Sequence, residues 1–107
     1  MFARIVEFTP KLAKKEEFLK VLHKDVLPIL KSQAGFLEFL PFVPEVNAEK
    51  WVAITLWAGK RDAERYEIEA YPKVEGILNP YLTAPVNYKL YNVETSLCHH
   101  FVEALTA

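Results

Sequence analysis

The hydrophobic and polar positions along this chain switch between a period of two and a period of about 3.6, and the switches lay out its elements. Phe2 to Thr9 alternates as a strand, with Phe2, Arg4, Val6 and Phe8 on one face and Ala3, Ile5, Glu7 and Thr9 on the other. Arg4 is the odd member of its face. Pro10 ends the strand because it has no N–H to give to a ladder. From Lys11 to about Gln33 the period lengthens to that of a helix: Leu12, Leu19, Leu22, Val26 and Leu30 recur at helical spacings, and Phe18 and Leu27 widen the stripe. His23 falls inside that stripe, four residues after Leu19, and is expected to point toward the core edge. Pro28 should kink the helix by removing a backbone bond near Lys24. Ala34-Gly35 stops it. Phe36 to Val43 then reads as a second strand, which Pro41 and Pro44 assign to an edge or a bulge. The short polar run Pro44 to Glu49 joins it to a third strand as a hairpin.

That third strand organises the rest. Trp51 to Trp57 carries no charge, with Trp51, Ala53, Thr55 and Trp57 on one face and Val52, Ile54 and Leu56 on the other, so both faces are largely apolar. A strand of this kind has to be covered on both sides. The chain's own helices can cover one side, and the other needs a second subunit, a ligand or both. After Gly59, the residues Ala63, Tyr66, Ala70, Val74, Ile77 and Tyr81 form a second helical stripe, which Pro72 and Gly76 divide into two short helices joined near Tyr71. Val86 to about Glu94 alternates as a final strand, and Thr95 to Ala107 is a tail with a weak helical pattern. The order is β-α-β-β-α-β: a ferredoxin-like α+β fold with a four-stranded antiparallel sheet and helices on one face. Residues 1–95 form one domain, and the tail 96–107 is expected to dock on a partner subunit. The bare sheet face is expected to meet its copy across a two-fold axis, giving a homodimer.

Composition narrows the function classes. The chain has 107 residues, 51% of them hydrophobic, and a net charge of −1. A near-neutral chain without a basic stripe offers nucleic acid no electrostatic footprint. No uncharged run approaches the roughly 20 residues of a membrane span, and the N-terminus lacks the order of a signal peptide, so the cytoplasm is the expected location. The single Cys98 forms no internal disulfide, which suits a reducing compartment. There is no glycine-rich phosphate loop, no nucleophile elbow and no paired-cysteine zinc spacing. Cys98-His99-His100 with Glu103 resembles a ligand cluster, but its crowding within six residues and the lack of a second cluster leave no metal site expected.

Several landmarks stand together: Thr9-Pro10-Lys11 ending the first strand, Val26-Leu27-Pro28 in the first helix, Gly35-Phe36 opening the second strand, and Thr55-Leu56-Trp57 followed by a helix with aromatics at Tyr66 and Tyr71. Over about residues 2 to 93 the chain resembles the antibiotic-biosynthesis-monooxygenase-like proteins of the dimeric α+β barrel superfamily. The resemblance implies a cavity between sheet and helices and, in one branch, oxygenation of aromatic polyketide-type substrates without a cofactor. The haem-degrading branch implies an Asn on the first strand, a Trp on the second helix and a His beyond it; here those positions hold Arg4, Tyr66 and Gly76, so that pattern is not met. The polyketide-oxidising branch implies Trp, Tyr, Asn and Arg side chains that hold a phenol, and Trp57, Tyr66 and Arg4 resemble that set.

Each candidate residue has two readings. Arg4 on an apolar face must find an anionic partner. That partner is an anionic substrate in one reading, and a native acid such as Glu38, or water at the sheet end, in the other. His23 is a general base for a phenolic proton, its ordinary pKa of about 6.5 suiting work near neutrality, or an amphipathic residue at a helix edge. Trp57, Tyr66, Tyr71 and Tyr88 stack on a flat substrate or are plain core. The expectation is therefore a small-molecule enzyme of the cofactor-free monooxygenase type, acting on a small aromatic or polyketide-type substrate. Arg4 would hold the anion, His23 or a tyrosine would move the proton, and Trp57, Tyr66, Tyr71 and Tyr88 would bind the ring. The alternative is a non-catalytic binding or regulatory dimer. A third reading, an isomerase or decarboxylase, needs the acid–base pair without oxygen.

Overall fold

The structure is a computed structural model, described here for residues 1–46 and 50–98. Four strands, β1 (Phe2–Phe8), β2 (Phe36–Phe42), β3 (Trp51–Trp57) and β4 (Asn87–Asn92), form one sheet in the order β2-β3-β1-β4, antiparallel throughout. Four helices, α1 (Lys15–Val21), α2 (Leu27–Lys31), α3 (Lys60–Glu69) and α4 (Tyr71–Leu78), complete the ferredoxin-like α+β arrangement. The split of the second helical region at Ala70 follows from Pro72, which lacks the N–H that would continue α3 and instead sits in the first turn of α4. Proline-bearing β2 is an edge strand, and its register shifts between Phe36 and Glu38.

The first helical region differs from a plain rod. Leu12–Lys14 is a 3-10 turn, and between α1 and α2 the residues Leu22–Val26 form a π-helical turn in which the Leu27 N–H donates to the Leu22 carbonyl. Pro28 supplies the reason: its ring and missing N–H disrupt the bond to Lys24, and a wider turn takes up the fault. Phe18, Leu22, Val26 and Leu30 are all buried. A strict four-residue spacing drifts around a helix of 3.6 residues per turn, and the π turn absorbs part of that drift. Two expectations fail here. Leu12 is 73% exposed, and His23, expected at the core edge, is exposed on the outer side of the π turn.

Sheet register brings Phe2, Arg4, Val6 and Phe8 opposite Trp57, Thr55, Ala53 and Trp51, all facing the helices. Two aromatic groups fill the ends of the core. At one end the Phe18 ring lies 5.4 Å from Phe8 and 5.6 Å from Trp51. At the other, Trp57 lies 5.7 Å from Phe36 and 4.9 Å from Tyr66. The opposite sheet face leaves Ile5, Val52, Ile54 and Leu40 half-buried and Phe42 52% exposed. Among the described residues, no helix is long and apolar enough to cross a membrane.

Gly35 closes the turn before β2 with φ of +80°, and a Cβ there would fall on the Asp62 carboxyl group in the first turn of α3. Gly76 in α4 has open space around it. Urea unfolding should therefore separate the two: Gly35→Ala loses about 1–3 kcal/mol, while Gly76→Ala gains about 0.5–1 kcal/mol from helix propensity.

Candidate functional site

Strand alternation places the Arg4 side chain on the helix side of β1, where it is only 3% exposed. A guanidinium so deep in an aromatic core needs an opposite charge, and α3 provides it: Arg4 Nε lies 2.7 Å from Glu67 Oε2. Three tyrosines enclose the same cation. The Arg4 Cζ atom is 4.2 Å from the centroid of the Tyr71 ring, 4.7 Å from that of Tyr88 and 5.7 Å from that of Tyr66. Aromatic faces attract a desolvated cation electrostatically, so the rings add to what Glu67 supplies. Each comes from a different neighbour: Tyr66 from the inner face of α3, Tyr71 from the start of α4, and Tyr88 from edge strand β4, opposite Val6.

The ion pair is close but not aligned as a hydrogen bond. Arg4 Nε and Nη2 and Glu67 Oε2 are all buried atoms without a hydrogen-bond partner among the described residues. Glu67 itself is 30% exposed, so it spans the distance from the buried guanidinium to the surface. Behind the cage, the Trp57 Nε1–H donates to Thr55 Oγ1 at 2.9 Å, and the Thr55 hydroxyl donates to the Arg4 carbonyl at 3.4 Å. This chain ties the indole to the strand that carries Arg4.

Two of the spaces that adjoin the cage border α3. The inner one, between sheet and helices, is lined by Arg4, Thr55, Tyr66 and Tyr71 together with apolar residues such as Leu22, Val26 and Val74, and amounts to about 40 Å³. Pockets for small molecules run to roughly 300–1,000 Å³, so this space takes water and not a polycyclic substrate. The outer one is a groove of about 150 Å³ between α3 and β4, lined by Ala63, Glu64, Glu67, Ile68, Tyr88 and Leu90.

The structure brings Arg4, Tyr66, Tyr71 and Tyr88 together as one cluster. Trp57 is fully buried and touches the cluster through Tyr66 instead of facing open space. His23 is not part of it: it lines a separate groove with Leu19, Lys31, Phe36 and Glu38 on the far side of the π turn. The acid that pairs with Arg4 is Glu67 and not Glu38, which is exposed and accepts from the N–H of its neighbour Phe39. Glu67 and Thr55 were not singled out from the sequence. The signal for Glu67 was its place four residues after Ala63 and four before Tyr71, which sets a carboxylate at the margin of the apolar stripe of α3. Among the described residues no group of His, Cys, Asp or Glu side chains is placed to hold a metal ion. The tail residues His99, His100 and Glu103 lie outside the described residues.

Burial pushes the Tyr66 phenol well above the ordinary tyrosine value, with the Arg4 charge acting in the opposite direction. Burial also raises Tyr71, again opposed by Arg4.

Comparisons with known proteins agree with this architecture. The sequence model of the family described as "Antibiotic biosynthesis monooxygenase" matches residues 1–68. The crystal structure of SnoaB, a cofactor-independent oxygenase from Streptomyces nogalater, superposes with a TM-score of 0.73 at 18% identity, covering 90% of this chain and 95% of that one. A conserved protein from Methanosarcina mazei Go1 gives 0.70 at 16% identity, with 88% and 94% covered. Rv0793 from Mycobacterium tuberculosis gives 0.67 at 14% identity, with 86% and 93% covered. Identities this low establish a common fold. No curated protein matches the sequence.

A raised folded-state pKa means that the folded protein holds the phenolic proton more tightly. The stability this contributes is complete below the unfolded tyrosine value of about 10 and is lost as pH rises toward the folded value. Urea midpoints should accordingly fall as pH increases above about 10, and Tyr66→Phe should flatten that fall.

Proposed function

Because the chain belongs to the antibiotic biosynthesis monooxygenase family, we propose that it is a cofactor-free monooxygenase acting on a small aromatic or polyketide-type substrate, with Arg4 as the anion-stabilising group. The observation that carries this reading is the buried Arg4 Nη2, an unpartnered donor on a guanidinium that lines the inner space and is enclosed by tyrosine rings. Chemistry of this type needs an electron-rich phenolate or enolate that can react with dioxygen directly, and a preorganised guanidinium in a low-dielectric setting stabilises that charge more than water would. Tyr66, Tyr71 and Tyr88 turn their faces to Arg4 and hold it in place, and the half-exposed Tyr88 is the one of the three open to a ring from outside. Trp57 acts as a positioning residue, backing Tyr66. His23 lies too far outside the cluster to move the proton, so the acceptor has to come from elsewhere.

The alternative, a non-catalytic small-molecule-binding or regulatory dimer, draws on two observations of its own: Arg4 already has Glu67, and the inner space holds little more than water. Oxygen uptake separates the two readings. With hydroxylated aromatics as substrates, an enzyme consumes oxygen without added cofactor or metal, and Arg4→Met lowers the rate about 10²–10³-fold while circular dichroism stays unchanged. Binding without uptake across such a set would favour the alternative.

The open sheet face supports a homodimer. Ile5, Val52, Ile54, Leu40 and Phe42 form a continuous apolar surface on one side of a two-layer subunit, which water alone covers poorly. Light scattering should give a dimer mass, and Ile54→Glu should shift it to the monomer.

A further inference from the structure

The aromatic contacts around Arg4 continue inward and outward. Trp57 has no exposed surface, and its ring centroid is 4.9 Å from that of Tyr66, which in turn is 6.1 Å from that of Tyr71. Both separations are those of ordinary aromatic pairs. The Tyr71 and Tyr88 rings then lie against the same guanidinium, with centroids 4.2 and 4.7 Å from Arg4 Cζ. Tyr88 is 48% exposed. An unbroken run of π systems therefore leads from a buried indole to a tyrosine at the surface. At the inner end, Phe36 stands 5.7 Å from Trp57 and also lines the open groove of about 620 Å³ that holds His23. An oxidant in that groove is one ring away from the indole.

Indole and phenol rings are among the side chains that lose a single electron most readily. An oxidised Trp57 would be a radical cation that keeps its proton, because its Nε1–H donates at 2.9 Å to the Thr55 hydroxyl, a weak base. It therefore stays a strong oxidant. A tyrosine quenches it only where the phenolic proton has somewhere to go, since a phenol that has lost an electron is a strong acid. Burial holds the protons of Tyr66 and Tyr71 more tightly than usual, and the Arg4 charge opposes a second positive charge beside it. These two rings bridge but do not keep the hole. Half-exposed Tyr88 has water to take its proton.

We propose that Trp57, Tyr66, Tyr71 and Tyr88 form a relay that carries one-electron oxidation out of the core and delivers it to Tyr88. An oxyl or peroxyl radical takes one electron from the Trp57 indole and is itself reduced. An electron then crosses from Tyr88 through the Tyr71 and Tyr66 rings to Trp57, which is restored. At Tyr88 the O–H bond breaks, the proton goes to water and a neutral tyrosyl radical remains. A thiol in solution gives that radical a hydrogen atom and becomes a thiyl radical, so the protein ends as it began. The relay goes beyond the oxygenase reading, because it protects the core against oxygen radicals whatever reaction makes them.

The test uses the full-length protein in air-saturated buffer. Intense light at the long-wavelength edge of indole absorption, which tyrosine does not absorb, ejects electrons from Trp51 and Trp57. A nitroso spin trap marks tyrosyl radicals, and peptide mapping by mass spectrometry locates them together with oxidised tryptophan. Trp51 is the internal reference, since it packs against Phe8 and Phe18 at the other end of the core. In the wild type Tyr88 should carry the trap, and Trp57 should gain little oxygen. In Tyr88→Phe, oxidation of Trp57 should rise several-fold with Trp51 unchanged. Tyr71→Leu, which removes a bridging ring and leaves Tyr88 in place, should cut trapping at Tyr88 and raise Trp57 oxidation in the same way.

An unmarked Tyr88 in the wild type, or Trp57 oxidation that Tyr88→Phe leaves unchanged, would overturn the relay. Trapping at Tyr88 that survives in Tyr71→Leu would overturn the route through the cage. Because light creates the hole, neither result depends on whether the protein consumes oxygen, and the oxygenase reading stands or falls by its own assay.

Discussion

Placing a guanidinium on the helix-facing side of a central strand obliges the rest of the domain to answer a single positive charge. An isolated ion in such surroundings is strongly unfavourable, and the structure shows two separate responses to the Arg4 charge: a carboxylate from α3, and tyrosine faces from α3, α4 and β4. Elements far apart in sequence converge on one cation. A plain hydrophobic residue at position 4 would need none of this, and buried ion pairs often contribute little to stability compared with apolar packing. In this chain the pair is close yet leaves donors and an acceptor unmatched.

The same core shows how a local fault settles a global placement. Pro28 forces a π turn at Leu22–Val26, and that turn keeps Phe18, Leu22, Val26 and Leu30 on one line while carrying His23 to the outside. The imidazole and the guanidinium thus end in different grooves. Glu67, and not the imidazole, is the titratable group that the fold delivers to pair with the Arg4 charge.

Shared fold and shared chemistry are different claims here. The superpositions with SnoaB and the other solved structures cover nearly the whole of each chain at identities below 20%. That is how similar backbones come to hold different side chains at their sites. The polar side chains that meet between sheet and helices in this chain are Arg4, Thr55, Glu67 and the three tyrosines.

By itself, the sequence determined the order of elements, the faces of β1 and β3, the edge position of β2, the break near Tyr71 and the isolation of Arg4 on an apolar face. All of these are local or periodic properties, readable because strand and helix side chains repeat at fixed intervals. The clustering of Arg4 with Tyr66, Tyr71 and Tyr88, the pairing with Glu67 instead of Glu38, the exposure of His23 and the small volume of the interior were decided by tertiary structure alone. Each depends on which side chains from separate elements meet, and on a helix whose period Pro28 alters. A stripe counted at 3.6 residues per turn misplaces residues wherever the turn widens. Glu67 lay within reach of sequence reasoning, four residues from Ala63 and from Tyr71, but only the packing of α3 across β1 turned a carboxylate at a stripe margin into the partner of a buried cation.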